Sequence, residues 1–201
     1  MNEIFHNLWP EYDPGRYFCE LTTDRPDAGL VPEWLAQRLG RIGLEALRAR
    51  ASAAETDLID LGVTFTVYSD ATAIDRILPF DCIPRVLTSG EWNLLERACI
   101  QRVAALNAFL GDIYGPGHIV RDGLIPADLV YGNSNYRPEM QDFPVPHGTY
   151  VHVCGIDIIR DEKGDFRVLE DNARTPSVVS YVIENRHLML RTFPDLMSGI
   201  R

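Results

Sequence analysis

Three residues within 149–181, TYVHVCGIDIIRDEKGDFRVLEDNARTPSVVSY, have the types and spacing for metal chemistry: Asp157, Glu170 and Asn172. TYVHVCGIDII is rich in Val and Ile and is expected to form a strand. DEKGD supplies a turn, in which Gly164 can take a positive φ. FRVLEDNA is the return strand. With Lys163-Gly164 as a two-residue loop, Asp157 faces Glu170 and Gly155 faces Asn172. Opposed residues share a face, as do residues two apart, so Asp157, Glu170 and Asn172 point one way and Asp171 the other. A longer loop shifts this register, and a one-residue slip removes the inference.

Two carboxylates opposed on neighbouring strands repel each other unless something neutralises them. A cation does so. Two carboxylates and one amide oxygen are a hard, all-oxygen set that suits Mg²⁺ or Mn²⁺ rather than Zn²⁺. The plainer alternatives are a solvated acidic hairpin end, or a carboxylate pair satisfied by arginine. Val151, His152, Val153, Cys154, Ile156 and Ile158 place apolar residues on both faces. That predicts an interior hairpin, where unpaired charge is costlier.

The following loop, Asn172-Ala173-Arg174-Thr175-Pro176-Ser177, leads into a helix. Backbone N–H groups at the helix start, beside Arg174 and Ser177, form a candidate anion site. A metal next to an anion site is what a nucleoside triphosphate requires, because Mg²⁺ bridges phosphate oxygens while Arg and amides hold the rest. Arg174 has an alternative role as a salt-bridge partner of Asp171 or Glu170, and Ser177 one as a helix cap.

The elements that must position these residues can be read from periodicity. Residues 1–31 lack it and are expected to be an extended arm lying on a surface through Trp9, Tyr12, Tyr17 and Phe18. Residues 32–59 are helical, with a second helical piece at about 52–60 introduced by the Ser52/Glu55 capping-box spacing. VTFTVY (63–68) is a strand. The stretch after it carries Pro79 and Pro84 and is expected to be loop, crowding Asp75, Arg76, Asp81 and Arg85. Residues 89–114 are the clearest helix, with a core-facing stripe of Trp92, Leu95, Cys99, Val103, Leu106, Leu110 and Ile113. Residues 118–148 are irregular, with at most one short helical turn in LIPADLV. Their polar, proline-rich part, GNSNYRPEMQDFPVPHG, is long enough to suggest a functional loop or lid. A helix is expected at 178–192, followed by FPDLMSGIR.

The chain has 201 residues, 46% of them apolar, a net charge of −10 and a pI near 4.9. This is an ordinary soluble globular composition. No basic stripe appears that could neutralise nucleic-acid phosphates, although nucleotide binding through a local cation remains open. Cys19, Cys82, Cys99 and Cys154 have no CxxC spacing, which fits a reducing cytosol and no zinc or disulfide framework. The N-terminus has no signal-peptide pattern, and no apolar run is long enough to span a membrane.

Asp157, the Gly-containing turn and Glu170-x-Asn172 together resemble the metal-binding hairpin of ATP-grasp enzymes. With GVTFTVYSD (62–70), RILPFDCIPR (76–85), EWNLLERACIQRVAALNAFLGDIYG (91–115), GIDIIRDEKGDFRVLEDNARTPS (155–177) and SYVIENR (180–186), the chain resembles the circularly permuted ATP-grasp family, which is similar to glutathionylspermidine synthetase. The likeness is dense over about 60–196 and loose over the N-terminal arm. It implies an α+β chain in which residues 1–61 are an arm and helical segment. Residues 62–201 would be a partial ATP-grasp domain, an antiparallel sheet with the metal hairpin flanked by helices.

The implied activity is a Mg²⁺- or Mn²⁺- and ATP-dependent ligase that phosphorylates a carboxylate and lets an amine displace the phosphate. Asp157, Glu170 and Asn172 would hold the metal, Arg174 would stabilise phosphoryl charge, and Ser177 would lie by the nucleotide. The stretch around Asp81 and Arg85 would sit near the substrate. The family has Gly after the serine of RTPS where this chain has Val178, so close backbone approach to phosphate is less easily allowed. In the permuted order the nucleotide-clasping half follows the hairpin, whereas this sequence ends at Arg201. The expectation is therefore half an active site, completed by a second polypeptide or left as a non-catalytic partner-binding remnant.

Overall fold

The structure is a computed structural model describing residues 3–21, 33–69, 72–77, 80–177 and 179–199. In chain order the elements are α1 (Glu3–Leu8), α2 (Glu33–Ile42), α3 (Leu44–Asp60), β1 (Thr64–Ser69), β2 (Thr72–Ile77), α4 (Ser89–Ile113), α5 (His118–Arg121), α6 (Ala127–Tyr131), β3 (Gly155–Arg160), β4 (Phe166–Asn172), α7 (Val179–Thr192) and α8 (Pro194–Met197). Each described sheet has two strands, β1 with β2 and β3 with β4. The class is α+β, as expected. The chain divides into two compact units, one of residues 1–88, 159–167 and 177–201, the other of 89–158 and 168–176.

The first unit holds the helical core. α2 carries Leu35, Ala36 and Leu39 on one buried face, and these meet Phe5, Leu47, Met189, Phe193, Leu196 and Met197. Apolar residues three and four apart produce this face, and burying them is the main force holding α1, α2, α7 and α8 together. The N-terminal segment thus departs from the expected extended arm. It contains α1, whose Phe5 is only 3% exposed, while Trp9 packs against the same core. Gly40 lets α1 approach α2, because a Cβ there would lie 2.9 Å from Ile4 Cγ2.

The expected helix at 32–59 is two helices, but the break falls at Gly43 rather than near Ser52. Gly43 has φ 76° and ψ 158°, a conformation open essentially to glycine alone. Ser52 sits inside α3, where its carbonyl accepts from Thr56 Oγ1 at 3.1 Å. β1 forms where the β-branched run predicts. β2 was expected to be loop, yet it pairs antiparallel with β1 from Thr64↔Ile77 to Ser69↔Thr72. The charged Asp75-Arg76 pair masked the strand pattern in the sequence.

The second unit is built on α4. Its predicted stripe faces inward, but among its residues only Ile113 is fully buried, and Trp92 is 57% exposed. The expected fully packed stripe is thus half-covered among the described residues. Asp112 closes the helix end: its carboxylate accepts from the backbone N–H of His118 at 3.0 Å and of Ile119 at 2.9 Å. These bonds, first that from Ile119, hold the Asp112 carboxyl below its ordinary value.

The segment 131–148 is tied to the end of α4. Asp142 N donates to Tyr114 O at 2.7 Å, Gln141 Nε2 to Gly115 O at 3.0 Å, and Arg137 N to Tyr114 Oη at 3.1 Å. Tyr114 stacks on Tyr136 at 5.0 Å and on Tyr150 at 6.0 Å.

Candidate functional site

β3 starts six residues later than the expected strand. Asn107 of α4 explains the shift: its Oδ1 accepts from Tyr150 N at 2.7 Å and Val151 N at 2.9 Å. These amides are satisfied by a side chain and do not need a strand partner. The turn also differs from a two-residue loop. Asp161 N donates to Asp165 O at 3.0 Å and Gly164 N to Asp161 O at 2.9 Å, with Gly164 at φ 84°. The loop is therefore Glu162-Lys163-Gly164, a three-residue turn with a left-handed glycine. At the tip, Asp161 faces Asp165, one residue out of the expected register.

At the base, Gly155 lies beside Asn172. A Cβ on Gly155 would lie 3.5 Å from Asn172 Cβ, so these residues are neighbours across the strands. Asp157 is two residues from Gly155 and so shares its face. On β4, Asn172 Nδ2 donates to Glu170 Oε1 at 3.1 Å, which places those two side chains together.

The intervening Asp171 points the other way. Arg102 Nε donates to its Oδ1 at 2.6 Å and Oδ2 at 2.8 Å. That bond raises the Arg102 pKa further. Near the tip, Arg167 Nε lies 2.9 Å from Asp161 Oδ2. Asp161 and Asp171 are thus satisfied by arginine, whereas Asp157 and Glu170 have no cationic partner among the described residues. Carboxylate and amide oxygens are the hard donors that Mg²⁺ or Mn²⁺ takes, and among the described residues the hydrogen bond here joins Glu170 and Asn172 only.

The expectation of an interior hairpin is met only in part: Val151 is buried and Cys154, Ile156 and Ile158 are half-buried. Val153 is 65%, Leu169 64% and Ile159 41% exposed, because among the described residues no layer covers these strand faces. Burial therefore adds nothing to the metal reading; the unpaired acidic face is what remains of it. Among the described residues there is no cluster of three His, Cys, Asp or Glu able to hold a metal. The candidate set has two carboxylates and relies on Asn172 for a third oxygen.

Arg174 follows the hairpin and is exposed, with Nη1 3.4 Å from Asn135 Oδ1 in the 131–148 segment. It forms no salt bridge to Asp171, which Arg102 already holds. Ser177 is exposed just before α7. Val178, and with it the expected glycine departure, lies outside the described residues.

Asp81 and Arg85 are in the first unit and line a cleft of about 340 Å³ together with Phe5, His6, Trp9, Tyr12, Phe18, Cys19 and Glu20. Asp81 Oδ1 accepts from Ile83 N at 2.9 Å. Arg85 Nε lies 3.4 Å from Glu20 Oε1, and Arg160 Nε lies 3.1 Å from the same atom. Sequence reasoning missed Arg102, Asn107, Asn135 and Glu20. Arg102 and Asn107 were legible as polar positions off the α4 stripe, but their partners lie far along the chain.

Comparison with known proteins follows the same lines. The family model for a circularly permuted ATP-grasp matches residues 84–201. An uncharacterised Synechocystis protein is 43% identical over 193 residues, covering 94% of this chain and 39% of that protein. An uncharacterised Mycobacterium bovis protein is 48% identical over 155 residues, 77% of this chain and 27% of its own length. A Frankia alni protein named "Putative glutamate--cysteine ligase 2-3" is 37% identical over 197 residues, 97% of this chain and 22% of its own length. The chain thus spans well under half of each of these relatives. With the matched model covering more than half of its residues, the chain belongs to the circularly permuted ATP-grasp family.

Proposed function

We propose that this chain carries the metal- and phosphate-facing part of an ATP-dependent carboxylate–amine ligase. The observation that carries the reading is the divided hairpin base. Glu170 and Asn172 are hydrogen-bonded together on one face, while Asp171 is withdrawn to the other by Arg102. Family membership and the name of the Frankia relative support a ligase.

In this reading Asp157, Glu170 and Asn172 hold Mg²⁺ or Mn²⁺, which when bound supplies charge neutralisation on the nucleotide phosphates. Arg174, with its guanidinium beside Asn135, offers positive charge to the transferred phosphoryl group. Ser177 offers a hydroxyl to the phosphates. The γ-phosphoryl passes from ATP to a substrate carboxylate oxygen, releasing ADP. The amine nitrogen then attacks the acyl carbon, releasing phosphate and leaving the amide. Asp81 and Arg85 serve the substrate. Four free cysteines fit a reducing, cytoplasmic setting, and among the described residues no helix is long and apolar enough to cross a membrane.

A second reading has a specific observation in its favour. Val179, Val182, Ile183 and Leu190 of α7 are 47–68% exposed, an apolar stripe that fits a further polypeptide segment. Here the chain is one half of an enzyme or a non-catalytic binding partner. Calorimetry with Mg²⁺–ATP separates the readings. This chain alone is expected to bind weakly or not at all, and addition of the remaining segment of a relative such as the Synechocystis protein restores binding. Tight binding by the chain alone rejects the half-site reading. In the reconstituted pair Glu170→Gln abolishes ATP turnover, and unchanged turnover rejects the metal assignment.

A further inference from the structure

The cleft of the first unit has a chemistry of its own. Its walls are aromatic, with Trp9, Tyr12 and Phe18. Its size, about 340 Å³, falls at the lower end of small-molecule sites. Two charges of opposite sign come to it from one loop. Asp81 uses Oδ1 to accept from Ile83 N, which fixes the carboxylate and leaves Oδ2 as an acceptor among the described residues. Arg85 has 63% of its side chain exposed, and its Nε lies 3.4 Å from Glu20 Oε1; an exposed guanidinium of this kind can grip a carboxylate.

Behind them Glu20 and Arg160 are paired at 3.1 Å, 13% and 5% exposed. Arg160 is fixed over Phe18 at 5.3 Å and Phe166 at 4.4 Å. This pair sets one negative charge against one positive charge behind the cleft. Tyr12 donates its hydroxyl to Cys19 Sγ at 3.5 Å. That bond, with burial and the nearby acidic groups, pushes its pKa up to about 12, so it stays a neutral aromatic wall.

We infer that this cleft binds a zwitterion, an amino acid or short peptide. Its ammonium goes to Asp81, its carboxylate to Arg85, and its side chain lies among Trp9, Tyr12 and Phe18. A purely cationic ligand would leave Arg85 unanswered and a purely anionic one would meet Asp81. An apolar ligand would leave both charges facing a dry surface. The inference rests on the ligase reading only in making that ligand a substrate; binding itself needs neither nucleotide nor metal.

The test follows the Trp9 indole N–H in ¹H–¹⁵N spectra of this chain, with Trp34 and Trp92 as internal references. Nucleotide and divalent ions are absent. The probes are the common L-amino acids and L-leucyl-glycine at millimolar concentration, then the deaminated and decarboxylated analogues of whichever binds best. The zwitterion is expected to shift Trp9 alone, and each analogue to bind about tenfold or more weakly. Asp81→Asn, which keeps an acceptor for Ile83 N, weakens the zwitterion and the decarboxylated analogue but not the deaminated one. Arg85→Met weakens the zwitterion and the deaminated analogue but not the decarboxylated one.

A stronger response to L-leucyl-glycine than to any amino acid assigns the site to peptides. If no probe moves Trp9, or if both variants weaken all ligands equally, the inference is overturned. Since no ATP is present, either result stands apart from the Mg²⁺–ATP calorimetry.

Discussion

Asp171 and Glu170 are adjacent in sequence and opposite in circumstance. Arg102 holds Asp171 with two short bonds, whereas Glu170 has only the Asn172 amide among the described residues. If the metal reading holds, the two should separate cleanly in a Mn²⁺ titration followed by paramagnetic broadening of hairpin resonances. Glu170→Gln weakens Mn²⁺ by about tenfold or more, while Asp171→Asn leaves it unchanged. Equal effects would place the ion elsewhere. Strand alternation predicts the Glu170 and Asn172 side chains on one face, and their hydrogen bond agrees. The partner of Asp171 was not legible, since nothing local couples residue 171 to residue 102.

Asp112 offers a pH test at the same scale. Its carboxyl lies below the ordinary value because the Ile119 and His118 amides bond its charged form. A depressed carboxyl stabilises the fold above the unfolded value, about pH 4. That stability is lost as pH falls through the folded value. Urea midpoints of Asp112→Ala should fall below those of the parent at neutral pH and converge with them in acid. A constant gap across that window rejects the titration account.

At the scale of elements, the helices were legible where apolar residues recur three and four apart, evenly in α2 and α4 and unevenly in α7. The errors came from single residues. Gly43 breaks a continuous helical pattern through its backbone angles, and no periodicity reports a φ. Gly43→Ala is expected to lower stability by about 1–3 kcal/mol in urea unfolding. A neutral result would mean that α2 and α3 can join by another route. α7 has two apolar faces. Leu188 and Met189 are buried, whereas Val182 is 63% exposed. Val182→Glu should change the stability of this chain by no more than about 0.5 kcal/mol, yet prevent restoration of Mg²⁺–ATP binding by the added segment. Loss of folding would show that the outer face is already covered.

On the scale of the whole molecule, composition alone supported little beyond an acidic chain with a net charge of −10. Motifs spread over 60–196 carried the family, and the match over 84–201 agrees with them. The cleft stayed hidden because its walls come from residues 5–21 and 81–86, which share no period or motif. The N-terminal segment, irregular to the eye, supplies its aromatic side.

The hairpin tip has one further consequence. Lys163 is the chain's single lysine, exposed in the turn between β3 and β4. A lysine-specific endoproteinase can therefore nick the folded protein once, dividing it into residues 1–163 and 164–201. The smaller piece carries Glu170, Asn172 and the whole of α7, and its Leu188 and Phe193 are fully buried in the first unit. The pieces should co-elute until denaturant is added. In the nicked form Asp157 belongs to one polypeptide and Glu170 to the other, so a divalent ion held by both becomes a bridge between molecules. Its presence would be read directly as a higher denaturant concentration for separating the two.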